Sequence, residues 1–253
     1  MVAAAAVLAC SAATAAAQPA RFIVPFAPGG TSDIFARILG QKMSESMGVP
    51  VIIDNRPGAA GMIGLDMLVR SPEPNLTLGL LTTSNLLSAL ALRPDLVQEF
   101  QMVSLLGISG MVIVSTRDAT IADLVQRTKR AQKINFGSAG PGSLSHVCFE
   151  QFLNATGRGQ AGHIPYKGSA PMIADVIAGH VEAACVELAS AIPHIKAGKL
   201  RALAVTLPYP NDQLPGVPTL ESAGVQGVLS GGWHAVIAPK GMSRTRMGVP
   251  AKL

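Results

Sequence analysis

The feature that most constrains this chain is a three-part unit that occurs twice: a short apolar run, a glycine loop, and a helix with hydroxyl residues at its start. Phe22-Ile23-Val24 is an apolar run of strand type, and Pro25-Phe26-Ala27-Pro28-Gly29-Gly30 behind it has to turn. Thr31 or Ser32 is placed to cap a helix carrying Ile34, Ile38 and Leu39 on one face, with Gly48 past its end. In the second half Ile134-Asn135-Phe136 is the strand, residues 137–142 the glycine loop, and Ser143 to Ala155 the helix.

Between and after these units the alternation continues. Val51-Ile52-Ile53, Leu76 to Leu81, Val181 to Val186 and Leu200 to Val205 read as strands. Helices are expected from Ala60 to Val69, Leu86 to Leu92, Thr120 to Arg130, Ala170 to Ala178 and Leu188 to Ala197. Two further apolar runs, Met102 to Leu106 and Met111 to Val114, bracket the glycines at 107 and 110. Strands alternating with helices predict mostly parallel sheets covered on both faces, with ligand crevices at the carboxyl ends of the strands. A fresh start halfway along predicts an α/β protein of two lobes with a cleft between them: 18–114, then 115–234, with 235–253 returning to the first lobe.

Charge and composition remove several function classes. Residues 1–20 carry no charge, are dominated by alanine, and end in Ala15-Ala16-Ala17 before Gln18, which predicts an export signal peptide over 1–17. Val7-Leu8-Ala9-Cys10 is a loose lipobox, a weaker reading of the same segment. The net charge of +5 lies wholly from Arg21 onward and suits an anionic small ligand. Basic residues are scattered, the one modest cluster (Arg127, Lys129, Arg130, Lys133) reads as a solvated helix end, and no basic stripe is interleaved with aromatics, so no nucleic-acid partner is expected. Cys148 and Cys185 fit neither a disulfide framework nor a zinc pattern and read as buried free thiols. The 5 histidines lack paired ligand spacing, so no metal is expected. Gly58-Ala59-Ala60-Gly61 has the wrong spacing for a dinucleotide loop, and no cofactor is expected. A serine hydrolase would need Ser143 or Ser145 with His146, an awkward pair on one helix, and no enzymatic activity is expected.

The two glycine loops carry the chemistry instead. A helix start leaves backbone N–H groups without intrahelical partners at the positive end of the helix dipole, which makes an anion site without a cationic side chain. Residues 138–146, Ser-Ala-Gly-Pro-Gly-Ser-Leu-Ser-His, repeat the arrangement of 28–33 with added hydroxyls.

With these loops assembled, the chain resembles the tripartite tricarboxylate transporter substrate-binding proteins, the Bug family. The matching segments are Pro25 to Asp33 with Arg37, Asn55 to Gly61 with Gly64, Ser145-His146, Pro165 to Ala170, Ala178-Gly179, Ile195 to Val205, Pro215 to Thr219, and Trp233. The resemblance implies a two-lobed, type II-like periplasmic binding protein, monomeric, that closes on a small carboxylate and delivers it to a membrane permease. A ligand sensor docked on a membrane signalling partner is the alternative. Carried over by position, the ligand contacts are Ala27, Pro28, Gly29, Gly30 and Thr31 from the first lobe with Thr83 and Ser84 beside them. Ser138, Gly140, Gly142, Ser143, Tyr166 and Lys167 are those of the second. Glu187 stands where the family commonly has Asp, which is expected to shorten the pocket and alter ligand preference, and Pro74-Asn75-Leu76 departs from the family's usual turn. The family continues past this point with helices that complete the first lobe, so that lobe is expected to be incomplete and weakly stable, since each large apolar side chain left bare forfeits about 1.5–3 kcal/mol.

Overall fold

The computed structural model describes residues 18–157, 159–228 and 230–243; the leader expected over 1–17 and the end of the expected return segment lie outside them. In the first half, β1 (Ala20–Val24) is flanked in parallel by β2 (Val51–Asn55) and β3 (Thr77–Thr82). Successive residues of a strand face opposite ways. Phe22 and Val24 therefore pack with Ala36 of α1 (Thr31–Met47), and Ile23 packs with Leu65 and Leu68 of α2 (Met62–Val69) and Ala89 of α3 (Thr83–Leu92). A strand covered on both faces reads as a continuous apolar run, which is why Phe22-Ile23-Val24 shows no alternation.

The second half repeats the plan. Here β5 (Lys133–Ser138) runs parallel to β6 (Gln160–Pro165) and β7 (Ala183–Glu187). One face is filled by α4 (Ile121–Lys129) and α5 (Leu144–Thr156), with the rings of Phe136 and Phe149 stacked at 4.4 Å between centroids. The other face is covered by α6 (Ser169–Ile177) and α7 (Leu188–Lys196), through Met172, Ile173, Val176 and Ala191.

Two strands join the halves. β4 (Phe100–Ser115) is one continuous strand where two runs broken by glycines were expected, so the expected division near residue 114 falls inside it. Its first part pairs with β9 (Gly231–Pro239), which in turn pairs with β3. Its last part, Met111–Ser115, enters the second sheet between β7 and β8 (Arg201–Val205). Register shifts on either side of Ser104 and Leu105 absorb irregularities that would otherwise end the pairing. At Gly110 a Cβ would stand 2.4 Å from Leu207 Cδ1, so the glycine is a close approach and not a break. The resulting nine-stranded path, β2-β1-β3-β9-β4-β7-β5-β6 with β8 on β4, is mixed: parallel within each half and antiparallel where β4 and β9 cross. The α/β class and the flanked parallel strands match the expectation. β9 was not foreseen as a strand.

Three local expectations are corrected. Neither Thr31 nor Ser32 caps α1: Gly30 is its N-cap, in extended conformation and with no side-chain bond to the helix. Arg127 is not a solvated helix end, because its guanidinium is turned inward onto Asp118 (3.0 Å) and Glu182, with Lys129, Arg130 and Lys133 left exposed around it. Burial alone would raise the Glu182 carboxyl, but the bonds from Arg127 and the Asn135 N–H hold it below the usual range. Last, Cys148 and Cys185 are not free thiols but a disulfide. α5 lies on β7 so that the two Cα atoms are 6.2 Å apart, within bridging range, and both residues are fully buried.

On the first half's surface several large apolar side chains remain exposed, among them Ile38, Ile52, Met102, Leu105 and Ile108. No helix among the described residues is long and apolar enough to cross a membrane.

The disulfide closes a chain segment with a sequence separation of 37. Loop-closure entropy for such a segment corresponds to about 2–4 kcal/mol. Reduction, or the pair Cys148→Ala with Cys185→Ala, is therefore expected to lower the urea midpoint by that amount of stability, and coincident oxidised and reduced unfolding curves would contradict it.

Candidate functional site

The first wall of the site is the uncapped start of α1. Asp33, which belongs to that first turn, is used to build the loop: its Oδ2 accepts the Gly29 N–H at 2.9 Å and the Arg37 Nε–H at 2.8 Å, and its Oδ1 accepts from Asn55 Nδ2 at 3.0 Å. Burial pushes the Asp33 carboxyl up, but these bonds outweigh it and keep it below its ordinary value. Asn55 also donates to the Phe26 carbonyl at 3.0 Å, so the loop is stapled to β2. The carboxylate is thereby spent on the loop. What remains at the helix start, among the described residues, is a set of N–H groups at Gly30, Thr31 and Ser32 that meet no acceptor, and a buried Thr31 Oγ1 with no hydrogen-bond partner. Three helices are capped by side chains, Thr82 on α3 and Thr120 on α4 through reciprocal capping boxes and Ser143 on α5, whereas α2, α6 and α7 share with α1 the lack of a side-chain cap.

The second wall comes from the other half. Most amides of the second glycine loop are satisfied within it: Ala139 N–H donates to Ser145 Oγ (2.8 Å), Gly140 N–H to Ser138 Oγ (3.1 Å), Gly142 N–H to His146 Nδ1 (3.1 Å), and Ser143 N–H to the Gly140 carbonyl (3.1 Å). The next amide crosses between the halves, with Leu144 N–H donating to Ser84 Oγ at 2.9 Å. A second crossing bond runs from Ala27 N–H to the Lys167 carbonyl at 3.0 Å. α6 also starts at the site on Gly168, without a side-chain cap, and its Ser169 faces Gly30 so closely that a Cβ there would stand 2.6 Å from Ser169 Oγ.

Between these walls lies a cleft of about 440 Å³ counted to its open mouth. Gly30, Thr31, Ser32, Thr82 and Ser84 line it from the first half, and Ala139, Leu144, Ser145, Ser169 and Glu187 from the second. Its apolar surface is Phe26, Met111, Met172, Cys185 and Val186. A continuation of about 470 Å³, counted the same way, shares Phe26 and Ala139 and reaches Ala60, Gly140, Tyr166 and Lys167.

Of the residues expected to bind ligand, Gly30, Thr31, Ser84 and Glu187 share the main cleft, and Gly140, Tyr166 and Lys167 its continuation. The rest do other work. Ala27 makes the crossing bond to Lys167, Pro28 and Gly29 are exposed, and Thr83 Oγ1 accepts the Trp233 N–H at 3.0 Å. Ser138 is fully buried and holds its loop together through Gly140 and His163 Nε2 (2.6 Å), Ser143 caps α5, and Gly142 is exposed. Ala139 falls within the loop expected to bind, whereas Ser145, Ser169 and the apolar surface were not expected as ligand contacts; a serine at the first position of an uncapped helix is the signal that could have found Ser169.

The arrangement does not assemble a hydrolase. Ser143 Oγ meets Ser145 Oγ at 3.0 Å, Ser145 Oγ accepts from Ala139, and His146 Nδ1 faces the Gly142 amide, so none of these serines is paired with the histidine. Ser138 does touch His163, but no surface of it reaches the cleft. Among the described residues no group of three histidine, cysteine, aspartate or glutamate side chains is placed to hold a metal ion.

Comparison with known proteins identifies the family and the fold. Residues 35–249 match the family model described as the tripartite tricarboxylate transporter family receptor. The chain is 35% identical to protein BugT of Bordetella pertussis over 240 residues, which is 91% of this chain and 73% of BugT. Among solved structures it is similar to the periplasmic binding protein BugD (TM-score 0.83, 31% identity, 91% of this chain and 79% of that one). It is also similar to an R. palustris protein solved with adipate (TM-score 0.83, 30% identity, 91% and 79%). A malate-bound protein from Rhodopseudomonas palustris, MatC, shares the fold at a TM-score of 0.82, with 24% identity over 90% of this chain and 81% of that one.

The Leu144–Ser84 bond makes its own prediction. Ser84→Ala leaves a buried N–H without its acceptor, at a cost of about 1–3 kcal/mol to the closed arrangement. Solution scattering is expected to show a larger radius of gyration for the variant, and an unchanged radius together with an unchanged unfolding midpoint would show that the bond holds nothing shut.

Proposed function

Because the chain belongs to the tripartite tricarboxylate transporter receptor family, whose members are periplasmic solute-binding proteins, we propose that it captures a small carboxylate between its halves and presents it to the membrane subunits of such a transporter. The observation that carries this reading is the uncapped start of α1: unpartnered N–H groups at 30–32 and the unpartnered Thr31 hydroxyl open on a cleft that both halves line. Such a helix end favours a negative group by its dipole and its donors together. A carboxylate held there by neutral donors keeps no counter-ion and leaves with the hydrogen bonds alone, which suits a carrier that has to release its cargo.

Closure follows from the crossing contacts. A ligand seated on α1 and touched by Ser145 and Ser169 binds the closed arrangement better than the open one, and that difference shifts the population toward closure. Adipate and malate in the related structures are small dicarboxylates, which supports the ligand class without naming this chain's own. The export leader over 1–17 completes the reading, with the mature chain in the periplasm. Expressed in a Gram-negative host, the protein is expected in the periplasmic fraction with Gln18 at its N-terminus; recovery only from the cytoplasm with residues 1–17 intact would remove the localisation.

Calorimetric titration of the folded protein against di- and tricarboxylates, acidic amino acids and aromatic acids tests the function. At least one carboxylate is expected to bind, and none binding to a folded sample overturns the proposal. Thr31→Val is expected to weaken that binding by about 0.5–1.5 kcal/mol through loss of one hydroxyl. Gly30→Ala, whose Cβ would meet Ser169 Oγ at 2.6 Å, is expected to weaken it more by blocking closure while leaving the unfolding transition in place.

A further inference from the structure

The wall of the cleft contains a group that the capture of a plain anion does not call for. Of the described side chains lining it, Glu187 is the one that is ionisable, and it is acidic; the lysine of the site, Lys167, lines the continuation instead. Glu187 ends β7 immediately before α7, and its side chain does not cap that helix. Among the described residues its carboxylate accepts no hydrogen bond, although it is largely buried, with 17% of the side chain exposed.

Its nearest charged or titratable neighbour gives it little. His234, on β9 from the other half, stands with Nε2 3.5 Å from Glu187 Oε2, yet neither of its ring nitrogens has a hydrogen-bond partner. Burial pushes the His234 imidazole below its ordinary range, against the opposing pull of Glu187, and the ring lies edge-on to Phe35 at 4.8 Å between centroids. A neutral imidazole offers the carboxylate no compensating charge. Glu187 thus brings to the cleft a partly exposed carboxylate whose acceptor capacity no described protein donor uses.

We propose that the ligand supplies the missing donor: the solute carries one carboxylate for the α1 start and, elsewhere on the molecule, an ammonium, amide N–H or hydroxyl group that donates to Glu187. This rests on the carboxylate-binding reading and narrows it. A second carboxylate placed beside Glu187 would set two like charges together against the apolar surface of the cleft and would leave the Glu187 acceptors unmet. A half-amide or an amino acid of the same length meets both demands. Selection is then by polarity at equal size: the apolar surface of Phe26, Met111 and Met172 accommodates either carbon chain, and only the terminal group distinguishes them.

The test compares ligands matched in length. Succinamate, glutaramate and adipamate are titrated at pH 8 against succinate, glutarate and adipate, with 4-aminobutyrate as a cationic-donor probe. At whichever length binds, the half-amide is expected to bind at least about tenfold tighter than the diacid, as like charges in a partly buried site require. Glu187→Gln, which keeps the size and adds a donor, is expected to abolish or invert that preference and to weaken 4-aminobutyrate at least about tenfold. Equal or tighter binding of the diacid by the wild-type protein overturns the inference while leaving the carboxylate reading standing. An unchanged preference in a folded Glu187→Gln protein also overturns it. Failure of every carboxylate, including the wider panel above, overturns both. The wild-type comparison decides the matter even where the variant does not fold.

Discussion

The structure turns on a helix that is left open at its beginning. An α-helix start carries N–H groups that its own backbone cannot satisfy, and a folded protein normally gives them a side-chain oxygen. α3, α4 and α5 follow that practice through Thr82, Thr120 and Ser143. α1 does not, because Gly30 has no side chain to offer and Asp33 is tied to Gly29, Arg37 and Asn55. The donors at 30–32 are therefore held in a fixed direction by a loop that Asp33 and Asn55 brace. Rigid support around unsatisfied groups is what a binding site needs, since donors already in place lose little freedom when the ligand arrives.

Around that start the fold supplies separate cores and a shared boundary. The apolar clusters of the first half draw on β1, β3 and β9, and those of the second on β4, β5 and β7, so each half keeps its own interior. β4 and β9 carry the chain between them. Within the second half the Cys148–Cys185 bridge ties α5 to β7, the two elements that present Leu144, Ser145 and Glu187 to the cleft. The bridge thus fixes that wall as one piece.

What the sequence makes legible is local. Phe22-Ile23-Val24 with its glycine loop, the Thr120 cap and the strand at 134–136 are each determined by residues a few positions apart, and all stand where the pattern puts them. Contacts that depend on distant partners were not legible. Gly231-Gly232-Trp233 has no strand pattern of its own and extends β9 ahead of its apolar run Ala235–Ala238 by pairing with β4. The disulfide depends on how α5 lies across β7, which no spacing reveals. The site was half legible for the same reason: Gly30 and Thr31 follow from the helix start, whereas Ser145, Ser169 and Met111 reach the cleft only when the halves meet. Most of the second loop's amides, which look as available as those of the first, turn inward because Ser138, Ser145 and His146 reach back to them.

Two hydrogen bonds cross the cleft at its walls, from the Ala27 N–H to the Lys167 carbonyl and from the Leu144 N–H to Ser84 Oγ. Each such bond is worth about 1 kcal/mol net. On the carboxylate-binding reading proposed above, a ligand that adds a few hydrogen bonds of this size would tip the jaws toward the shut arrangement. A docking surface that recognises the shut outline would then read occupancy directly from shape, and prising the jaws apart to discharge the cargo would leave both interiors undisturbed.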